Sequence, residues 1–191
     1  PDLHVPAQSG SNDVLARMKR GYTVEDYREM FGRIKATLPD AAVSSDFIVG
    51  FCGETDEDFQ KTYELLAECR FKNSFIFKYS ERPGTKGAEL YADDIPFEVK
   101  NRRNNELLEL QNRLSEQDSQ RFLGQRVEVL VEGASDRAKN RGEETGDIIQ
   151  LPGRTPDDRI VVFDGNGRRN GRSIPLAIYV VTPHTRFGPV G

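Results

Sequence analysis

Three short stretches carry the residue types from which a ligand site can be built. The first is Gln8-Ser9-Gly10-Ser11, a small polar loop between an extended run and a helical pattern. A strand that breaks into a Gly/Ser turn at a helix start can offer backbone N–H groups to an anionic or polar ligand, and it is also the form of an ordinary strand-to-helix connection. The second is the run Asp46 to Glu54, with Gly50 and Gly53 between the carboxylates. Carboxylates at strand ends can accept from ribose hydroxyls or a ligand amine; the alternative is that Asp46 caps a turn and Glu54 faces solvent at a helix start. The third is Tyr79-Ser80-Glu81-Arg82-Pro83, where Arg82 sits beside a rigid Pro-Gly turn suited to an anion or base contact. Among Arg17, Lys19, Arg20 and Arg28, Arg20 is placed best for a carboxylate or phosphate, next to the turn expected at Gly21, although a lysine or arginine on a helix is commonly just solvated.

The elements that must position these loops follow from periodicity. Residues 12–20 read as a short helix with Ser11 or Asn12 as N-cap and Gly21 as its stop; Thr23 caps a second helix to about Thr37. Ala42–Phe51 is a strand whose dense apolar end suits cover on both faces, Thr55 caps a helix with Asp58 in a box-like position, and Phe71–Tyr79 is a strand with Phe75, Phe77 and Tyr79 in alternation. Strand–helix–strand–helix–strand at this spacing is an α/β parallel sheet, which brings all three loops to one edge, where ligands bind. Pro96–Gln120 reads as a long, mostly solvated connecting helix with a Leu107, Leu110, Leu114 stripe. Beyond Phe122 the runs Arg126–Val131, Asp147–Leu151, Arg159–Phe163 and Leu176–Thr182, separated by turns, predict a small antiparallel β-barrel, OB-like in kind.

The chain of 191 residues divides in charge as it does in pattern. Residues 121–191 hold 11 Lys/Arg against 9 Asp/Glu, a net +2, whereas 1–120 hold 16 against 22, a net −6. Arg137, Lys139 and Arg141 share one loop of the C-terminal part, and Arg168, Arg169 and Arg172 share another, as expected of an RNA-binding β-module, although an ordinary solvated loop surface reads the same way. No run is apolar enough for a membrane span and no secretory signal opens the chain, so no membrane partner is expected. Cys52 and Cys69 are too far apart for a CxxC clip, and His4 and His184 form no cluster with them. A reducing, cytoplasmic compartment and a monomer are expected.

HVPAQSGSNDVLARMKRGYT, SSDFIVGFCGETDEDF and YSERPGTKGA, in this order, resemble the second half of the radical-SAM domain of methylthiotransferases. GQRVEVLVEG and GRTPDDRIVVFDG resemble the TRAM domain that follows it, most closely in the tRNA-modifying, 2-methylthio-isopentenyladenosine branch. The resemblance covers nearly the whole chain. It implies an α/β partial TIM-type barrel over 1–120 and a TRAM RNA-binding β-barrel over 121–191, with S-adenosyl-L-methionine as cofactor and tRNA as partner. By position, Gln8, Ser9, Gly10, Ser11 and Arg20 would line the cofactor pocket, Asp46, Gly50, Gly53 and Glu54 would cradle its adenosine and methionyl groups, and Tyr79, Ser80, Arg82 and Pro83 would face the reacting end. The basic loops, Arg137, Lys139, Arg141, Arg168, Arg169 and Arg172, would hold the tRNA. Two departures stand out. Cys52 replaces the family's usual Pro, and the CxxxCxxC motif whose thiolates bind a 4Fe-4S cluster is absent, so the chain is expected to be a portion of an enzyme and inactive by itself. The rival readings are a non-catalytic RNA-binding protein and the sister enzyme that methylthiolates an aspartate of a ribosomal protein.

Overall fold

A computed structural model describes residues 2–132, 149–165, 170–181 and 186–188. Leu3–Leu114 form one compact unit and the chain from Ser115 onward forms another. Among the described residues no helix is long and apolar enough to cross a membrane.

The first unit is built on a three-stranded sheet in the order β1 (Asp2–His4), β2 (Ala42–Val49), β3 (Asn73–Lys78). β2 and β3 are parallel, with Ser44 opposite Asn73 and Val49 opposite Lys78, and a parallel bridge from Gln8 to Phe47 carries the pairing past β1. Helices α1 (Asn12–Arg17), α2 (Val24–Thr37) and α3 (Asp56–Cys69) are the crossovers, and α5 (Phe97–Gln120) follows a short α4 (Lys86–Leu90). Thr23 with Asp26 and Thr55 with Asp58 each close a full capping box, as the sequence predicts. α1 ends earlier than expected and not at Gly21. Lys19 takes the left-handed conformation (φ 55°), with Lys19 N–H donating to Ala16 O and Arg20 N–H to Leu15 O, a Schellman closure.

Phe47, Val49, Phe59, Leu65, Leu66 and Phe71 fill the core between the sheet and its helices. Leu107, Leu110 and Leu114 join it, so α5 is not the solvated connector its composition suggests: Lys100, Arg103 and Gln111 are buried along the same face. Two α5 amides reach the backbone of the last strand and its approach, Asn104 Nδ2 to Ile76 O at 3.0 Å and Gln111 Nε2 to Phe71 O at 3.1 Å. β2 is not covered on both faces. Asp46 and Ile48 stay partly open, and beside them Phe75 and Phe77 are 49 % and 53 % exposed while Ser74 is buried.

The second unit is a six-stranded sheet in the order β7 (Ser173–Ala177), β4 (Arg126–Val131), β5 (Ile149–Arg154), β6 (Ile160–Gly165), β9 (Arg186–Gly188), β8 (Val180–Val181). Among the described residues every ladder of this sheet is antiparallel except β6 with β9, which is parallel, and none joins β7 to β8. The predicted antiparallel sheet is present over β7-β4-β5-β6, and the three-residue β9, which the sequence did not announce as a strand, adds a parallel neighbour to β6. Its core is Val129, Val131, Leu151, Val161, Phe163, Leu176 and Ile178, drawn from alternate positions of four segments. Gly153 lets β5 pass close to β4, since a Cβ there would lie 2.5 Å from Val129 Cγ1. Arg159 is buried and structural: it pairs with Asp118 (2.6 Å) and Asp157, and with Arg121 it flanks the Phe122 ring.

Candidate functional site at the sheet edge

The three loops do gather at the C-terminal edge of the parallel sheet, but they divide the work. Gln8–Ser11 is buried and locked onto α3. Ser9 N–H donates to Ala7 O across Gln8, which sits at positive φ (67°), a γ-turn of the strained kind. Gln8 N–H donates to Asp46 O, Gly10 N–H to Thr62 Oγ1 at 2.9 Å, and Ser11 N–H to Ser9 Oγ at 3.1 Å. The loop therefore has no free N–H to offer, contrary to the expectation from its composition; its donors are consumed in fixing the turn. Ser11 Oγ donates to Asp58 Oδ1 at 2.6 Å, which ties the α1 N-cap to the α3 capping box. Burial pushes the Asp58 carboxyl up, but the bonds from Ser11 and Thr55 more than offset this and hold it below the ordinary range.

Gly10 packs directly against α3. A Cβ there would stand 2.3 Å from Lys61 O and 2.6 Å from Thr62 Cα, both backbone atoms that cannot swing away. Gly10→Ala should therefore destabilise the chain by about 2 kcal/mol, as overpacking does; thermal unfolding of the variant beside the parent chain measures it.

The second loop is a scaffold too. Gly50 and Gly53 both stand at φ 70°, and a Cβ on Gly50 would lie 2.4 Å from Lys100 Cγ. Glu54 is not a solvated helix-start charge. Its Oε1 accepts from Gly50 N–H and from Arg103 Nη1, both at 2.8 Å, and its side chain is fully buried. Burial pushes this carboxyl up, against the opposing pull of Gly50 N–H and Arg103. Lys100, also buried, donates to Asp93 at 2.6 Å and to Tyr79 O at 3.2 Å. Arg17 Nη1 donates to Cys52 O at 3.1 Å. Cys52 and Cys69 are free and buried, and burial pushes both thiols up, Cys69 to about 12, so neither is an activated nucleophile.

What remains open is a cleft of about 330 Å³ along the edge, lined by Arg17, Met18, Lys19 and Arg20 from the end of α1, Phe51 and Tyr79 from the strand ends, and Lys86. A second cavity of about 400 Å³ shares Ile48, Tyr79 and Thr85 with it and adds Phe77, Ser80 and Arg82. Phe51 and Tyr79 meet edge to face at 4.7 Å. Burial pushes the Tyr79 phenol up to about 12, and its interaction with the Cys52 thiol adds to the shift. Arg20, Tyr79, Ser80 and Arg82 thus line open space as predicted residues, whereas Gln8–Ser11, Gly50, Gly53 and Glu54 stand behind it. Asp46 lies on the open sheet face, 3.3 Å from His4 Nε2. The sequence reading missed this pair, along with Lys100 and Arg103. Arg172 directly precedes β7, its carbonyl accepting from Val131 N–H of β4; Arg137, Lys139, Arg141, Arg168, Arg169 and His184 lie outside the described residues.

Residues 1–66 match the Radical SAM superfamily. The chain is 60 % identical over 190 residues to the tRNA-2-methylthio-N(6)-dimethylallyladenosine synthase of Rhodopirellula baltica, covering 100 % of this chain and 40 % of that protein. It is 46 % identical over 188 residues to the protein of the same description from Porphyromonas gingivalis (98 % and 39 %), and 44 % identical over 186 to that of Pelodictyon phaeoclathratiforme (97 % and 40 %). The chain spans about two fifths of the length of the curated relatives it matches.

Proposed function

We propose that this chain is part of a radical-SAM methylthiotransferase and supplies the cofactor-facing sheet edge and the RNA-facing β-unit of an enzyme that adds a methylthio group to a modified adenosine of tRNA. On this reading 1–120 are part of a TIM-type barrel and 121–191 a TRAM module. The observation that carries the proposal is the cleft at the parallel-sheet edge, where the cations of Arg17, Lys19, Arg20 and Lys86 ring the aromatic pair Phe51 and Tyr79. That donor set fits S-adenosyl-L-methionine, which has a carboxylate for the guanidinium of Arg20 and an adenine for the rings. Bound there, the cofactor would supply a methyl group and, once given one electron by an iron–sulfur cluster held outside these residues, a carbon radical.

The roles of the chain's own residues then separate. Arg20 holds the carboxylate, Phe51 and Tyr79 position the adenosine, and Ser80, Arg82 and Pro83 border the space for the substrate. Gln8–Ser11, Gly50, Gly53 and Glu54 keep that edge in shape. Asp46 stands on the open face two positions before Ile48, which lines both cavities. The residues here do not fit an iron–sulfur cluster: the sequence has two cysteines, both buried, and the described residues hold no group of three metal-ligating side chains. On this reading the chain alone does not cleave the cofactor. The tRNA backbone would be held by the Arg137, Lys139, Arg141 and Arg168, Arg169, Arg172 loops; the tRNA named in the relatives' descriptions favours this over a ribosomal-protein substrate.

Titrating the 191-residue chain with S-adenosyl-L-methionine by calorimetry tests the cofactor assignment. Arg20→Ala should weaken binding by about 10- to 100-fold, the worth of one charge-assisted contact. Equal affinity for the variant and parent chain would remove Arg20 from the site.

A further inference from the structure

We propose that Ser80–Ala92 is a lid on the cationic cleft, pinned at both ends by Lys100, held open by repulsion between Lys86 and the end of α1, and drawn shut by an anionic group placed between them. The proposal adds a conformational control to the site read above and rests on that reading only for the identity of the group that shuts it.

The segment has no core of its own. From Glu81 to Glu98 no residue is buried, and α4 within this run contributes none. Its hydrogen bonds from Ser80 to Leu90 are local. Thr85 N–H and Thr85 Oγ1 both donate to Arg82 O, at 3.2 and 2.8 Å. Ala88 N–H donates to Thr85 Oγ1 at 3.4 Å, and Glu89 N–H to Thr85 O at 3.1 Å. A loop bonded to itself and little to the body can move as one unit, as Ω-loops do.

Both ends meet on one ammonium. Lys100 Nζ donates to Tyr79 O, where the segment leaves the sheet, at 3.2 Å, and to both oxygens of Asp93, where it returns, at 2.6 Å. Lys100 is 4 % exposed and its stem lies against Gly50, so the pin is fixed in the body. The returning limb is held further: Gly53 N–H donates to Asp94 Oδ1 at 2.7 Å, Cys52 Sγ lies 3.9 Å from Tyr91 O, and the Tyr91 and Phe51 rings stand 6.3 Å apart.

The crown of the segment is one wall of the cleft. Thr85, Lys86 and Gly87 line it from the start of α4, and Arg17, Met18, Lys19 and Arg20 line it from the end of α1, whose Val14 and Leu15 are buried. One wall is anchored in the core and the other is not. Four of the lining residues are cations and none is a carboxylate. Across a cleft of about 330 Å³ these charges stand well within the ~30 Å screening length of dilute salt, so Lys86 is pushed away from α1. A carboxylate between the walls attracts both and brings Lys86 inward. Closing of this kind shields a bound ligand from water.

Pulsed electron resonance on the full 191-residue chain, with nitroxides on Glu89→Cys and Asp13→Cys, reads the distance between the two walls. Both positions are exposed and outside the cleft, and the native thiols are buried. Raising salt from ~0.01 to ~1 M, which shortens screening from about 30 to about 3 Å, should increase the short-distance population about 3-fold, the worth of one exposed charge pair. Lys86→Met should give that increase in dilute salt and abolish the salt response. Asp93→Ala, which frees one end of the segment, should broaden the distribution at any salt. Lys86 is exposed, so its variant should keep the parent's thermal transition. A distribution indifferent to salt, a salt response that survives Lys86→Met, or an Asp93→Ala chain as narrow as the parent would overturn the proposal. These arms need no cofactor. S-adenosyl-L-methionine, added in dilute salt and followed by calorimetry in parallel, should also populate the short distance. A salt-responsive lid in a chain that binds no cofactor defeats only the cofactor assignment, and bound cofactor with an unmoved lid defeats only the lid.

Discussion

Replacing Arg103 with Met should lower the unfolding free energy by about 3–5 kcal/mol, the cost of leaving one member of a buried ion pair alone. Arg103 and Glu54 are both buried, 2.8 Å apart, and the same guanidinium donates to Glu54 O and to Asp56. With the guanidinium gone, only Gly50 N–H opposes the burial that already pushes the Glu54 carboxyl up. A folded-state pKa raised above the unfolded value gives stability that is present below the unfolded value and lost as pH rises through the folded one. The deficit of the variant should therefore be smaller in acid and grow as pH rises past the ordinary Glu range of about 4.3. Urea unfolding across pH measures it, and adding Glu54→Gln should recover most of the loss and flatten the pH dependence. A single variant with parent-like stability would mean that water reaches Glu54.

Asp58→Ala should remove about 3 kcal/mol, since one carboxylate caps α3 and anchors the N-cap of α1. Oδ2 accepts from Thr55 N–H (3.0 Å) and Thr55 Oγ1 (2.9 Å), and Oδ1 from Ser11 Oγ (2.6 Å). Here the sign is opposite to that of Glu54. The folded pKa lies below the ordinary value, so the contribution is complete above about 3.9 and disappears as pH falls through the folded value. The difference between parent and variant should thus be constant near neutrality and shrink in acid. A difference that stays constant into strong acid would show that Asp58 contributes shape and not charge.

The parallel order of the first unit was legible because helix caps and apolar stripes are local: Thr23 with Asp26 and Thr55 with Asp58 announce their helices within four residues. The convergence of the loops followed from topology. What each loop does was not legible, because composition cannot show where an N–H is already bonded; Gln8–Ser11 reads as a ligand cradle and is a lock. The stripe of α5 was seen at Leu107, Leu110 and Leu114 but continues to Arg103 and Lys100 at the same spacing, and a charge in an apolar register was the available sign of a buried pair. His4 and Asp46 lie 42 positions apart and meet only because β1 and β2 are neighbours. The parallel β6–β9 pair depends on a three-residue strand, too short to carry a period.

The two amides that α5 places on the β3 side of the sheet have a consequence for handling the protein. Asn73–Lys78 is a terminal strand of high β-propensity, with two phenylalanines open to water, and such an edge templates the addition of another strand. Asn104 and Gln111 occupy the carbonyls of Ile76 and Phe71, so an incoming chain must displace a folded helix before it can pair there. Self-association should thus begin with local opening of α5 and follow its fraying, not the total concentration of exposed aromatic surface.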